Sequence, residues 1–191
     1  MVRGTEQARA VSKRKAILDA ASRLMVAEGL RRVTHRQVAA EAGVPVGSIG
    51  YYYSSRDKLI AACFDDFHRR RARVAEERTA ATSTASGVDA VAEGILAIVT
   101  AGHPDALGGL LFAVVDASRE QRDAGSSQIK EQATDTLQLI DEYLRHTGHS
   151  DLSAREIGEV IFGAAIMGTQ VGENPRDAAG AALVRTLGRV A

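Results

Sequence analysis

Cysteine is almost missing from this chain of 191 residues, and the one present, Cys63, excludes two architectures. A lone thiol can neither close an internal disulfide nor build a thiolate metal cage, so a stapled secreted scaffold and a zinc finger are both out. Proline is scarce too, with three residues, which leaves long helices unbroken. The longest apolar run, Leu110–Val115, falls far short of the ~20 residues a membrane-spanning helix needs. No apolar segment follows the basic Met1–Lys15 stretch as it would in a secretory signal. No membrane partner is expected, and the chain is read as cytoplasmic. Also absent are a Gly-x-Ser-x-Gly elbow, a phosphate-cradling Gly-x4-Gly-Lys and a paired His-Glu zinc helix, which weighs against an enzyme. There is no internal repeat. With 45% hydrophobic and 25% charged residues, neither disorder nor a fibre fits, whereas a globular chain with a sizeable core does.

Net charge is zero, but the zero hides an asymmetry. Residues 1–60 hold 11 Lys and Arg against 5 Asp and Glu, and residues 61–191 hold 13 against 19, so the two parts are +6 and −6. A basic N-terminal segment on an acidic body is the electrostatic footprint of a protein that meets a polyanion at one end.

Apolar residues recur at helical spacing nearly everywhere and no stretch alternates as a half-buried strand would, so the fold class is all-α, with about nine helices. The first helix is predicted over Ser12–Glu28, with Ile17, Ala20, Ala21, Leu24 and Met25 on one stripe and Gly29 as its stop. Thr34 with Gln37 forms a capping-box pattern opening a short second helix that ends at Gly43. Pro45 pre-sets the first turn of a third helix, over Pro45–Tyr53. Ser54 or Ser55 caps a longer fourth helix striped by Leu59, Ile60, Cys63, Phe64 and Phe67. Further helices follow from Val88, over Asp105–Glu120, over about Ser127–His146, over Ser153–Gln170 behind the pattern Ser153-x-x-Glu156, and from Asn174-Pro175 to the end.

Three short helices with a tight Gly-Val-Pro turn between the second and third make a helix-turn-helix, whose second helix must be slim and polar-faced to enter a major groove. Val38, Ala39, Ala42, Val44 and Ile49 supply a small mutual core. Gly47, Ser48, Gly50, Tyr51 and Tyr52 are left outward; three consecutive tyrosines, Tyr51–Tyr53, sit about 100° apart around a helix and cannot all be buried. The segments Thr34–Val44 (THRQVAAEAGV) and Gly47–Leu59 (GSIGYYYSSRDKL) resemble the DNA-binding domain of the tetracycline-repressor (TetR) family, over roughly residues 12–62. The sequence departs from that pattern at Pro45, where Ser or Thr is common, at Gly50, where an aromatic is common, and at Tyr53, where Phe is usual. Pro45 offers a phosphate no hydroxyl or N–H, whereas Gly50 lets backbone approach DNA more closely.

The residues expected at DNA are Thr34, His35, Arg36, Pro45, Val46, Gly47, Ser48, Gly50, Tyr51, Tyr52, Arg56 and Lys58, with Arg36 as the groove reader and Tyr53 turned to the core. Lys13, Arg14 and Lys15 alone would read as a solvated face; beside a helix-turn-helix they gain weight as phosphate contacts. The domains implied are 1–54, DNA-binding with arm-like first residues, and 55–191, helical, effector-binding and dimerising. The partners expected are a quasi-palindromic double-stranded DNA operator, a second copy of the chain, and an unidentified small-molecule effector; no cofactor is expected. The function so read is a transcriptional regulator, a repressor released by its ligand. The rival reading is a small-molecule-binding or enzymatic helical bundle with an incidental basic end.

For the effector, the resemblance implies a cavity among the helices after the fourth. Its expected lining is Cys63, Phe64, Phe67, His68, Ile95, Val99, Leu111, Val115, Tyr143 and Phe162, with no clustered charge. Thr100, His103, Asp116 and Gln170 are further polar residues at facing positions, each read more readily as a rim or solvent residue. Cys63 reads as a small buried hydrophobe rather than a redox thiol. His146 and His149 with Asp151 lie close in sequence, but Gly148 interrupts the helix between them, so no metal site is assigned. The dimer is expected through the last two helices, at Ile157, Val160, Ile161, Ala164, Ala165, Gly168, Ala182, Leu183, Thr186 and Leu187, whose small and apolar side chains make two faces.

Overall fold

The computed structural model describes the backbone of residues 2–120 and 126–189, and the side chains of 7–115 and 133–189. Among the described residues there are nine α-helices and no strand: α1 (Val2–Glu28), α2 (His35–Ala42), α3 (Val46–Tyr52), α4 (Arg56–Ala81), α5 (Val88–Val99), α6 (Ala106–Glu120), α7 (Ser126–His146), α8 (Ala154–Gln170) and α9 (Pro175–Leu187). The caps fall where the side chains can satisfy orphan donors. Ser55 Oγ accepts from the Lys58 N–H at 3.2 Å and Asn174 Oδ1 from the Arg176 N–H at 2.8 Å. Ser153 and Glu156 complete the reciprocal capping box. At α2 only half of the expected box forms: Thr34 Oγ1 accepts from the Gln37 N–H, but the Thr34 N–H donates instead to the Arg32 carbonyl.

Two differences from the sequence reading have physical reasons. α1 starts ten residues earlier than the expected Ser12, because propagating a helix through the proline-free stretch ahead of it costs little once a turn exists. A 3-10 turn, Leu30–Arg32, intervenes before α2 and has too few residues to show a period.

The interior divides into two apolar clusters. The first joins Ile17, Ala21 and Met25 of α1, Val38 and Ile49 of α2 and α3, and Leu59, Cys63 and Phe67 of α4. It does not stop at residue 54, since Leu110 and Ala113 of α6 belong to it. Gly109 makes that possible: a Cβ there would sit 1.4 Å from the Val26 carbonyl oxygen, so α6 meets α1 backbone against side-chain-free backbone. The second cluster packs Val74 and Ala75 of α4 with α5, Ile140, Tyr143 and Leu144 of α7, Ile157 and Ile161 of α8, and Leu183 and Leu187 of α9. α4 is thus a strut with its first half in one core and its second half in the other.

Candidate nucleic-acid interface

α2 and α3 pack through Val38, Ala39 and Ile49, all buried, across a turn in which Gly43 adopts φ 65° and ψ 33°. That left-handed conformation is nearly free for glycine and strained for most other residues. It lets the Val44 N–H reach back to the Ala39 carbonyl at 3.0 Å. With its back anchored by Ile49, α3 presents Val46, Gly47, Gly50 and Tyr51 outward; Tyr51 is 83% exposed and Val46 is 50% exposed. Tyr52 is half-buried and meets Tyr51 edge-on, with ring centroids 5.0 Å apart. Tyr53 is buried, as its sequence position requires, under the Arg14 guanidinium, which stands 5.6 Å from the ring centroid. Nothing lies within 4 Å of where a Cβ would project from Gly47 or Gly50, so both leave open space on the outer face.

Of the basic residues, Lys13, Arg36 and Lys58 are exposed and form no ion pair with any described residue. Lys15 is paired with Asp19 at 2.6 Å and Arg23 with Glu41 at 3.0 Å, which fastens α1 to α2. Two of the residues expected at DNA, Arg56 and Thr34, also hold local structure. Arg56 donates from Nε to the Val33 carbonyl at 3.0 Å and from Nη2 to the Leu30 carbonyl at 2.8 Å, so it clamps the start of α4 onto the turn before α2. The Thr34 hydroxyl is the α2 cap, and His35 turns inward, its Nε2 buried without a partner among the described residues. Ser48 and Tyr52 are half-buried, and Pro45 is the exposed cap residue of α3. The distinction between clamp and contact could not be read from spacing, because an arginine's reach of several bonds serves both.

A cavity of about 310 Å3 opens between the two clusters. Of the residues expected at an effector cavity, Phe64, Phe67, Val99 and Phe162 line it. The other six expected residues do not. Cys63, Ile95 and Leu111 are packed into the cores, and burial pushes the Cys63 thiol up to about 12. Tyr143 is buried with its hydroxyl against that of Thr82 at 3.0 Å, Val115 is exposed on α6, and His68 lies 3.8 Å from Asp135. Helical phase told which side of each helix is apolar but not how far round that side the void begins. In their place stand Met25 of α1, Leu110 and Ala113 of α6, Thr136, Leu137 and Ile140 of α7, Ile161 of α8, and a residue no apolar pattern would nominate, Arg71 of α4. Arg71 donates to the Ile98 and Val99 carbonyls at 3.2 and 2.9 Å and to Thr136 Oγ1 at 2.6 Å, and burial pulls its pKa down to about 10, which leaves it cationic at neutral pH. Of the other polar candidates, Thr100 is buried on the Leu96 carbonyl, His103 stacks on Phe67, Gln170 is exposed, and the Asp116 side chain lies outside the described residues.

The expected dimer residues need correction. Ile157, Ile161, Ala165, Gly168, Ala182, Leu183 and Leu187 are buried inside the chain's own second cluster or between α8 and α9, while Val160, Ala164 and Thr186 are half-buried beside them. Two apolar faces next to each other in sequence close on one another first. The apolar side chains left outward at the end of α8 are Ile166, Met167 and Val171, at 49, 65 and 69% exposure. Among the described residues no group of three or more His, Cys, Asp or Glu could hold a metal ion, and His146 donates from Nε2 to the Thr82 carbonyl. No described helix is long and apolar enough to cross a membrane.

Comparison with known proteins agrees with this geometry. Residues 17–63 match the family described as bacterial regulatory proteins, tetR family. An uncharacterised HTH-type transcriptional regulator of Xanthobacter autotrophicus is 37% identical over 59 residues, a stretch that spans 31% of this chain and 29% of that protein. Among solved structures, a TetR transcription regulator from Haloarcula marismortui matches over 95% of this chain and 97% of its own at 18% identity, with a TM-score of 0.67. A TetR family member from Streptomyces coelicolor matches over 91% and 96% at 23% identity and a TM-score of 0.62. The multidrug binding protein EbrR, solved with imidazole, matches over 91% and 89% at 22% identity and a TM-score of 0.59. At such identities the solved structures share the fold.

Proposed function

We propose that this chain, whose residues 17–63 match the tetR family of bacterial regulatory proteins, is a sequence-specific, DNA-binding repressor that acts as a homodimer and lets go of its operator when a small molecule fills the interior cavity. One observation carries the reading: α3 is anchored from behind by Ile49 and offers Val46, Gly47, Gly50 and Tyr51 to the outside with Arg36 exposed on α2. A slim ridge with two side-chain-free positions can sink into a major groove. Arg36 can fork a guanine, Lys13 and Lys58 neutralise phosphates, and the phenol of Tyr51 reaches backbone or base edge. One such unit reads too few base pairs to be selective, so a two-fold dimer with its α3 helices about 34–36 Å apart fits the need. The Ile166, Met167 and Val171 patch supports a second copy seated at α8. Such a repressor works in the cytoplasm, where operators are.

Control by a ligand is supported by the cavity's lining, which draws Met25 from the helix bracing the DNA-facing domain and Phe64, Phe67 and Arg71 from the strut that spans both cores. A filler that shifts α4 therefore shifts the α3 ridge. A hundredfold release needs about 2.7 kcal/mol of preference for the DNA-incompetent conformation. Selection of binding sites from random duplexes tests the regulator reading. The expected result is a quasi-palindrome whose affinity falls with salt at a log–log slope near −0.9 per phosphate neutralised. No enriched duplex would refute it.

A further inference from the structure

Arg71 is the one ionic side chain in the described wall of the cavity, and the other described lining residues are neutral. Its guanidinium meets two backbone carbonyls and the Thr136 hydroxyl, and its Cζ lies 4.9 Å from the centre of the Phe67 ring. Its partners among the described residues are these neutral groups, and no described carboxylate is paired with it. Three of the five N–H groups of a guanidinium are satisfied in this way and two remain. The carbonyls of Ile98 and Val99 close the end of α5 and so explain why the side chain is held rigid, but they carry only partial charge. A cation taken out of water without a full counter-charge is expensive, and a planar fork with spare donors is matched best by a carboxylate.

We infer that the cavity takes an amphipathic monocarboxylate, whose carboxylate pairs with Arg71 while its hydrocarbon body lies against Phe64, Phe67, Leu137, Ile140 and Phe162. The inference rests on the reading of this cavity as the effector site and adds the class of effector. An organic cation would meet like charge in a water-poor wall, and a neutral apolar molecule would leave the guanidinium unmatched. A phosphate dianion would find one guanidinium and one hydroxyl, too little to offset its hydration. Arg71 therefore sets sign as well as orientation: the charged end sits where α4, α5 and α7 meet, and the apolar end points to α6 and α8.

Three probes with one chain and different heads decide the matter by calorimetry on the full-length protein: octanoate, octanol and octylamine. The expected order is octanoate tighter than octanol by about tenfold, the worth of one charge-assisted pair, with octylamine weakest. Arg71→Gln should abolish the octanoate preference while keeping octanol affinity, and Arg71→Lys should keep part of the preference. Melting curves establish that each variant is folded; if Arg71→Gln is not, the wild-type ranking and Arg71→Lys carry the test. Octanoate binding no tighter than octanol overturns the anion assignment and leaves the cavity as a site. A preference that survives Arg71→Gln overturns the role of Arg71. If no probe binds, the effector site itself fails, and the inference with it.

Discussion

At the residue scale the basic side chains divide by what already holds them. Arg56 and Arg36 look alike in sequence, yet one has its Nε and Nη2 on the Val33 and Leu30 carbonyls and the other has no described partner. Arg56→Ala should therefore destabilise the fold by about 2 kcal/mol, seen as a lower urea midpoint, because two carbonyls lose a charged donor. Arg36→Ala should leave the midpoint unchanged and lower the ratio of specific to nonspecific DNA affinity; an unchanged ratio would remove Arg36 as the groove reader. Cys63 gives a signed pH effect. Its thiol rises from 9.0 to about 12 because it is buried, so the folded chain keeps a proton the unfolded one gives up. Stability that is present below pH 9 is lost as the pH climbs from 9 towards 12, and Cys63→Ala should flatten that part of a stability–pH curve.

At the element scale the glycines separate packing from access. Gly109 lets α6 touch the α1 backbone, and Gly109→Ala should cost about 3 kcal/mol or more, read from denaturation, since Val26 cannot move out of its helix. Gly50 faces open space on α3, so Gly50→Ala should stabilise the chain by about 0.5–1 kcal/mol through backbone entropy. The same substitution should weaken operator binding, because the new methyl stands where DNA backbone is to approach. Unchanged affinity would show that α3 does not dock by that face. Helix positions were legible from caps and periods: Ser55, Ser153 and Asn174 each cap the helix their sequence context announces. α2 and α3 were legible for a further reason, since the Gly43 turn and the buried Ile49 are local requirements that a few adjacent residues satisfy among themselves.

At the scale of the whole molecule the open surface at the end of α8 bears on assembly. Met167→Glu places a charge at a side chain that is 65% exposed, so the fold should survive with unchanged helical signal. Light scattering should then report a monomer that binds operator poorly; a dimer of undiminished mass would move the interface elsewhere. Charge asymmetry, absent disulfides, the helical class and the helix-turn-helix are all determined by the sequence alone, because each depends on composition or on residues within one or two turns of one another. What only the tertiary structure decided is the pairing of surfaces. The α8 and α9 faces packed on each other within the chain, six expected cavity residues went into the cores or to the surface, and Arg71 entered the cavity wall from a polar stretch of α4. The physical reason is common to all three. An apolar stripe fixes which side of a helix is buried, whereas the neighbour it meets and the void left over depend on how the helices cross, and that is set by contacts far apart in the chain.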